Sequence, residues 1–167
     1  MYTATTFTDR TAFAARALPY LMRREAAHNL LIGLIDTLIY RPEVYPSAHM
    51  VTVQNEAQEV VGVALQTPPH PISVSLFDDL AAISAAAEAF LAYQDDVSQI
   101  GGFAQEARAF ADHWQKRTQC PYEVHMPQLL YRVDQVLMPE GVAGTWRAAT
   151  LRDQELLITW YIAFERD

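Results

Sequence analysis

The chain has 167 residues, 51% of them apolar, and a formal net charge of −8 at pH 7. That suits one compact domain with a sizeable core and room for a fragment of a second. The acidic balance argues against nucleic acid and anionic membrane surfaces as partners, because both select basic patches. The single cysteine, Cys120, rules out an internal disulfide and fits a reducing compartment.

The N-terminal stretch "MYTATTFTDRTAFAARALPYLM" lacks the basic-led apolar core of a signal peptide. Asp9 is placed to cap a helix over Arg10 to Leu18, and Pro19 suits the first position of a further turn. From Glu25 on, Leu30, Leu31, Leu34, Ile35, Leu38 and Ile39 draw one helical stripe, which ends before the two prolines of "RPEVYP". Gly33, Asp36 and Thr37 make that stretch too polar to span a membrane, so the expected location is cytoplasmic.

"HMVTV" and "EVVGVAL" alternate and predict a β-hairpin, with Val61, Val63 and Leu65 on one face. "ISVSL" predicts a further strand and runs into a helix with Leu80, Ile83, Ala87, Phe90 and Leu91 on one side. A short strand near Val97 to Ile100 leads through Gly101-Gly102 to a helix whose stripe is Phe103, Ala107, Phe110, Ala111 and Trp114. "PYEVHM" and "QLLYRV" read as two strand pieces around Pro127, and "DQVLMPEGVAGT" has the character of a linker. "WRAAT" then predicts a short strand. Thr150 and Asp153 suggest a capping box, and Leu156, Leu157, Trp160, Tyr161 and Phe164 stripe a last helix. A bare aromatic stripe of this kind is an interface candidate.

Catalytic signals are weak. Asp78-Asp79 and Asp95-Asp96 read as helix caps and loop ends, because adjacent carboxylates rarely converge on one ligand. His28, His49, His70, His113 and His125 form no His-x-x-x-His pair and adjoin no Cys-x-x-Cys, so no zinc site is expected. Cys120 precedes Pro121 without a basic cluster to activate it and reads as structural. Gly-x-Ser-x-Gly, Gly-x-Gly-x-x-Gly and the phosphate-binding Gly-x-x-x-x-Gly-Lys are all absent. No catalytic, cofactor-binding or metal-binding residue is assigned.

As a set, "RREAAHNLLIGLIDTL", "EVVGVALQTPPHP", "QKRTQCPYEVHMPQLLYRVDQV" and "TWRAATLRDQELLITWYIAFERD" resemble the GCN5-related N-acetyltransferase (GNAT) family, in particular the N-terminal half of members with two such domains in tandem. The resemblance implies an α/β fold, a GNAT-like mixed sheet flanked by helices. It implies a domain over residues 1–136, a linker over 137–145 and, over 146–167, the first strand and helix of a second domain. It further implies an acetyl-CoA-dependent N-acyltransferase in which the second domain binds the cofactor. In this fold Tyr122 and His125 lie on a strand that can face the acyl-acceptor cleft, where a general base would sit.

The family's cofactor loop, Arg/Gln-x-x-Gly-x-Gly/Ala, joins the fourth strand to the next helix and holds the coenzyme pyrophosphate on backbone N–H groups. The matching stretch here, "TPPHPISVSLFDDL", has no glycine and places Asp78 and Asp79 where an anion would approach. The expectation is a non-catalytic half that binds no coenzyme itself, with acetyl-CoA belonging to the full tandem protein. Its partner is then the C-terminal GNAT domain or a second copy of itself as a homodimer, joined through Leu156, Leu157, Trp160, Tyr161 and Phe164. A stand-alone acyltransferase with a degenerate cofactor site and a self-associating binding module are the alternatives.

Overall fold

The computed structural model describes residues 1–93 and 97–166. The expected Asp95-Asp96 pair lies outside the described residues. The chain divides into two compact units, Met1–Arg132 and Val133–Asp167.

The first unit holds a mixed five-stranded sheet in the order β1-β2-β3-β4-β5, with β1 Thr3–Phe7, β2 His49–Gln54, β3 Val60–Gln66, β4 Ile72–Val74 and β5 Ile100–Gly101. The first four strands pair antiparallel, and β5 runs parallel to β4. Helices α1 (Arg10–Leu21) and α2 (Glu25–Tyr40) connect β1 to β2, and α3 (Ile83–Leu91) connects β4 to β5; α4 (Ala104–Thr118) follows β5. Each sheet face has its own core. Phe13, Leu21, Leu31 and Ile35 of α1 and α2 pack on Met50, Val63 and Leu65. Ile83 and Phe90 of α3, with Phe110 and Trp114 of α4, pack on Val51, Val53, Ile72 and Val74. The first unit is thus an α/β sandwich with helices on both faces of a mixed sheet.

Several elements differ from the sequence expectation. Strand β1 differs from that expectation, because Thr3 to Phe7 lies at the sheet edge, only half-buried, and lacks an alternating apolar signal. Helix α1 begins at the Asp9 cap, whose carboxylate accepts from the Thr11 and Ala12 amides at 2.8 and 3.2 Å, but it continues through Pro19 to Leu21. Burial of Tyr20 and Leu21 keeps the last turn helical despite the proline.

In α2 the buried stripe is His28, Leu31, Ile35 and Leu38, while Leu30 is exposed. In β3, Val61 leaves the face it was expected to share with Val63 and Leu65. Val53 pairs with Gly62 and Gln54 pairs with Val60, so Val61 is the extra residue of a bulge and joins the opposite core.

Among the described residues after α4 there is no strand. "PYEVHM", "QLLYRV" and "WRAAT" are irregular and exposed. A strand needs a neighbour for its hydrogen bonds, and no described strand pairs with these segments. Gln119, at φ +61°, caps α4 in the left-handed conformation, and Cys120 lies exposed just beyond it. In the second unit the Thr150–Asp153 capping box forms and leads into α5 (Gln154–Phe164).

Candidate functional site

The β4–α3 junction, residues 75–82, is the structural counterpart of a strand-to-helix phosphate cradle. With β1 present, Ile72–Val74 is the fourth strand in chain order. A phosphate cradle works by leaving successive backbone N–H groups unpaired and aimed at the ligand. In this junction the Ser75, Leu76, Phe77, Asp78, Ala81 and Ala82 amides are engaged internally.

The Ser75 amide donates to the Val63 carbonyl at 2.9 Å, and the Asp78 amide to Val61 at 2.9 Å. The Leu76 amide donates to His28 Nε2 at 3.2 Å, and the Phe77 amide lies 3.5 Å from Glu106 Oε1, a long contact. Asp79 caps the following turn, accepting from the Ala81 amide at 2.8 Å through its side chain and from Ala82 at 3.0 Å through its carbonyl. The acceptors come from both helical layers and from the sheet.

Carbonyl groups in the junction are held as well. The Tyr20 hydroxyl lies 2.8 Å from the Val61 carbonyl and 2.7 Å from that of Leu76, and Ser75 Oγ donates to the same Leu76 oxygen at 2.7 Å. The bulge at Val61 turns its carbonyl toward both Tyr20 and the Asp78 amide. Burial, chiefly, pushes the Tyr20 phenol up to about 12, so it stays protonated and able to donate. The Phe77 ring lies against Gly62, where a Cβ would fall 2.2 Å from a ring carbon.

The two aspartates serve different purposes. Asp78 forms an ion pair with Arg23 at 2.7 Å, and the Arg23 guanidinium sits 4.4 Å above the Tyr20 ring. Asp79 accepts from the Tyr2 hydroxyl at 2.5 Å; that hydrogen bond and the one from the Ala81 amide hold its carboxyl below the usual range. A groove of about 530 Å³ runs in front of the junction, lined in part by Tyr2, Arg16, Arg23, Asp78 and Asp79. Neither arginine is free in it, since Arg16 donates to the Gln58 carbonyl and Arg23 is paired with Asp78.

The other candidate residues are dispersed. His28 is buried between α2 and the junction, with Nδ1–H donating to the Leu21 carbonyl at 2.9 Å. Burial lowers its pKa, so the ring is neutral near pH 7. His113 contacts Glu88 at 2.6 Å and ties α4 to α3. His70 packs edge-on against Tyr45. Tyr122 donates to Asp112 at 2.7 Å, and His125 is exposed on the irregular segment rather than on a strand facing a cleft.

His49 lines a second groove of about 510 Å³, its ring 3.7 Å from that of Tyr93. Burial lowers its pKa too, but no carboxylate among the described lining residues orients it as a base. No group of three or more His, Cys, Asp or Glu among the described residues is arranged to hold a metal ion, and no described helix is long and apolar enough to cross a membrane.

The sequence reading missed Tyr20, His28, Ser75 and Glu106, the residues that hold the junction. Two signals pointed to them. His28 continues the stripe Leu31, Ile35, Leu38 at helical spacing, and Glu106 precedes Phe110 and Trp114 on theirs, so each places a polar side chain on a buried face. No family model, curated protein or solved structure matches the chain.

Proposed function

We propose that this chain is the non-catalytic N-terminal half of an acetyl-CoA-dependent N-acyltransferase with a GNAT-like fold. Its role is to pack against a catalytic half and help shape the acceptor cleft. Support for the fold comes from a mixed sheet flanked by helices, whose fourth strand runs into a helix where the family signature places its pyrophosphate loop.

The observation that carries the non-catalytic reading is the engagement of the Ser75, Leu76, Phe77 and Asp78 amides by protein acceptors. Residues 75–79 therefore do not fit the pyrophosphate of coenzyme A. An incoming phosphate would have to displace His28 and Glu106 and approach Asp78 and Asp79 at close range, where like charges repel.

Calorimetry of the chain with coenzyme A and acetyl-CoA tests this reading. The expected dissociation constant is above ~1 mM, equivalent to about 4 kcal/mol or less of binding energy. Micromolar binding overturns it and favours a stand-alone enzyme. A second reading, a self-associating module without catalysis, draws on the exposure of Leu156, Leu157, Trp160, Tyr161 and Phe164 on α5.

A further inference from the structure

The acceptor that occupies the Leu76 amide in the junction is itself titratable. His28, on α2, holds the Leu76 N–H through Nε2 while its own Nδ1–H is committed to the Leu21 carbonyl. Both ring nitrogens are thus assigned, and the pattern requires the neutral Nδ1–H tautomer. At the other end of the same residue, Tyr20 and Ser75 hold the Leu76 carbonyl. Leu76 is gripped by one titratable acceptor and by two hydroxyls that stay protonated across neutral pH, Ser75 and a Tyr20 O–H shared with the Val61 carbonyl.

We infer that His28 is a pH-sensitive latch on the β4–α3 junction, which releases the Leu76 amide when Nε2 takes up a proton. A protonated Nε2 is a donor and would face the Leu76 donor at 3.2 Å, so one of them must turn away. Nδ1–H can keep the Leu21 carbonyl, and the Leu76 carbonyl keeps Tyr20 and Ser75. The change is therefore confined to the peptide between Ser75 and Leu76.

The charged and titratable neighbours act in both directions. Tyr20 of α1 stacks on the ring at 6.1 Å, Arg23 and Arg24 in the turn before α2 oppose a second cation, and Asp78 from the junction favours one. Glu106 of α4 takes the next amide, that of Phe77, and Glu25 lies three residues earlier on α2. Burial is the largest influence and holds the His28 pKa below its ordinary 6.5.

Nuclear magnetic resonance of the isotope-labelled chain without any cofactor tests the latch independently of the acyltransferase reading. His28 should titrate below pH 6.5. Over the same interval, after correction for intrinsic exchange, the Leu76 amide should lose about tenfold in hydrogen-exchange protection. The Ser75 and Asp78 amides, whose acceptors are the carbonyls of Val63 and Val61, should keep theirs.

His28→Gln supplies an acceptor that does not titrate, and it should make Leu76 protection independent of pH. Protection that stays flat through the His28 titration overturns the latch, and so does a loss shared equally by Ser75 and Asp78. A pH effect that survives in His28→Gln does the same. If that variant does not fold, the comparison of the three amides in the unaltered chain decides alone.

Discussion

Helices α3 and α5 are both short and strongly apolar, yet they have opposite fates. In α3, Ile83 and Phe90 are each 1% exposed, and Ala86 and Ala87 let the helix approach the sheet closely. In α5, Trp160 is 62% and Phe164 is 77% exposed, with Leu156, Leu157 and Tyr161 also bare. Ile158 and Ile162 are exposed too and widen the apolar surface past the five-residue stripe. Apolar periodicity records that a helix needs a covering surface. It does not record which chain or domain supplies that surface.

The largest effect should come from removing α5. Each buried aromatic or leucine side chain contributes ~1.5–3 kcal/mol relative to exposure, so an apolar surface of this size favours association. Light scattering on the intact chain should report a dimer, and a chain ending after Met138 should be monomeric. Replacing Trp160 and Phe164 together by aspartate should weaken association by about 100-fold or more. A monomeric intact chain rejects self-association, and a dimer that survives truncation moves the contact to the first unit.

The two helices can also be compared residue for residue. Phe90→Ala removes a ring buried against the sheet and should cost about 3–5 kcal/mol in chemical denaturation. Phe164→Ala, at an exposed position, should change the stability of the monomeric chain by no more than about 0.5 kcal/mol. Equal losses would mean that α5 is covered in the free chain.

The difference between α3 and α5 also explains what the sequence could and could not reveal. Helices α1 to α4 and the β2–β3 hairpin were legible because their partners lie in the same unit, so pattern and burial coincide. The stretches "PYEVHM" and "WRAAT" carry strand patterns, but strand formation depends on a paired neighbour that local sequence does not encode. Strand β1 was hidden for the converse reason: Thr3 to Phe7 has little apolar alternation and is fixed by its register with Met50 to Gln54. At the junction, the missing glycines and the Asp79 cap were readable. The grip of His28 and Tyr20 on Leu76 was not, because it joins residues 48 and 56 positions apart.

Two glycines give a smaller effect of opposite sign. At Gly62 a Cβ would lie 2.2–2.4 Å from three ring carbons of the buried Phe77, so Gly62→Ala must displace that ring and should cost about 1–3 kcal/mol. At Gly33, inside α2, a Cβ would meet nothing within 4 Å, and Gly33→Ala should stabilise by about 0.5–1 kcal/mol. Thermal unfolding that shows no penalty at Gly62 would mean that Phe77 is loosely held and that the junction is softer than its hydrogen bonds suggest.

The smallest effect separates the two junction aspartates. Asp79 caps the turn into α3 and accepts from Tyr2, whereas Asp78 has a half-exposed ion pair with Arg23. An N-cap substitution removes an acceptor for otherwise unpaired amides, while exposed ion pairs contribute little. At neutral pH, Asp79→Ala should lower the melting temperature by about 3–6 °C, and Asp78→Ala should leave it nearly unchanged.

The pH dependence has a definite sign. The Asp79 carboxyl is held below its ordinary 3.8 in the folded chain, so its contribution is present above that value and fades as pH falls through the folded pKa. The gap between Asp79→Ala and the unaltered chain should therefore narrow in acid. Tyr2→Phe, which removes the largest cause of that shift, should reduce the pH dependence while leaving the Ala81 cap in place. If Asp78→Ala lowers the melting temperature as much as Asp79→Ala, the Arg23 pair is structural and the division of roles between the two carboxylates fails.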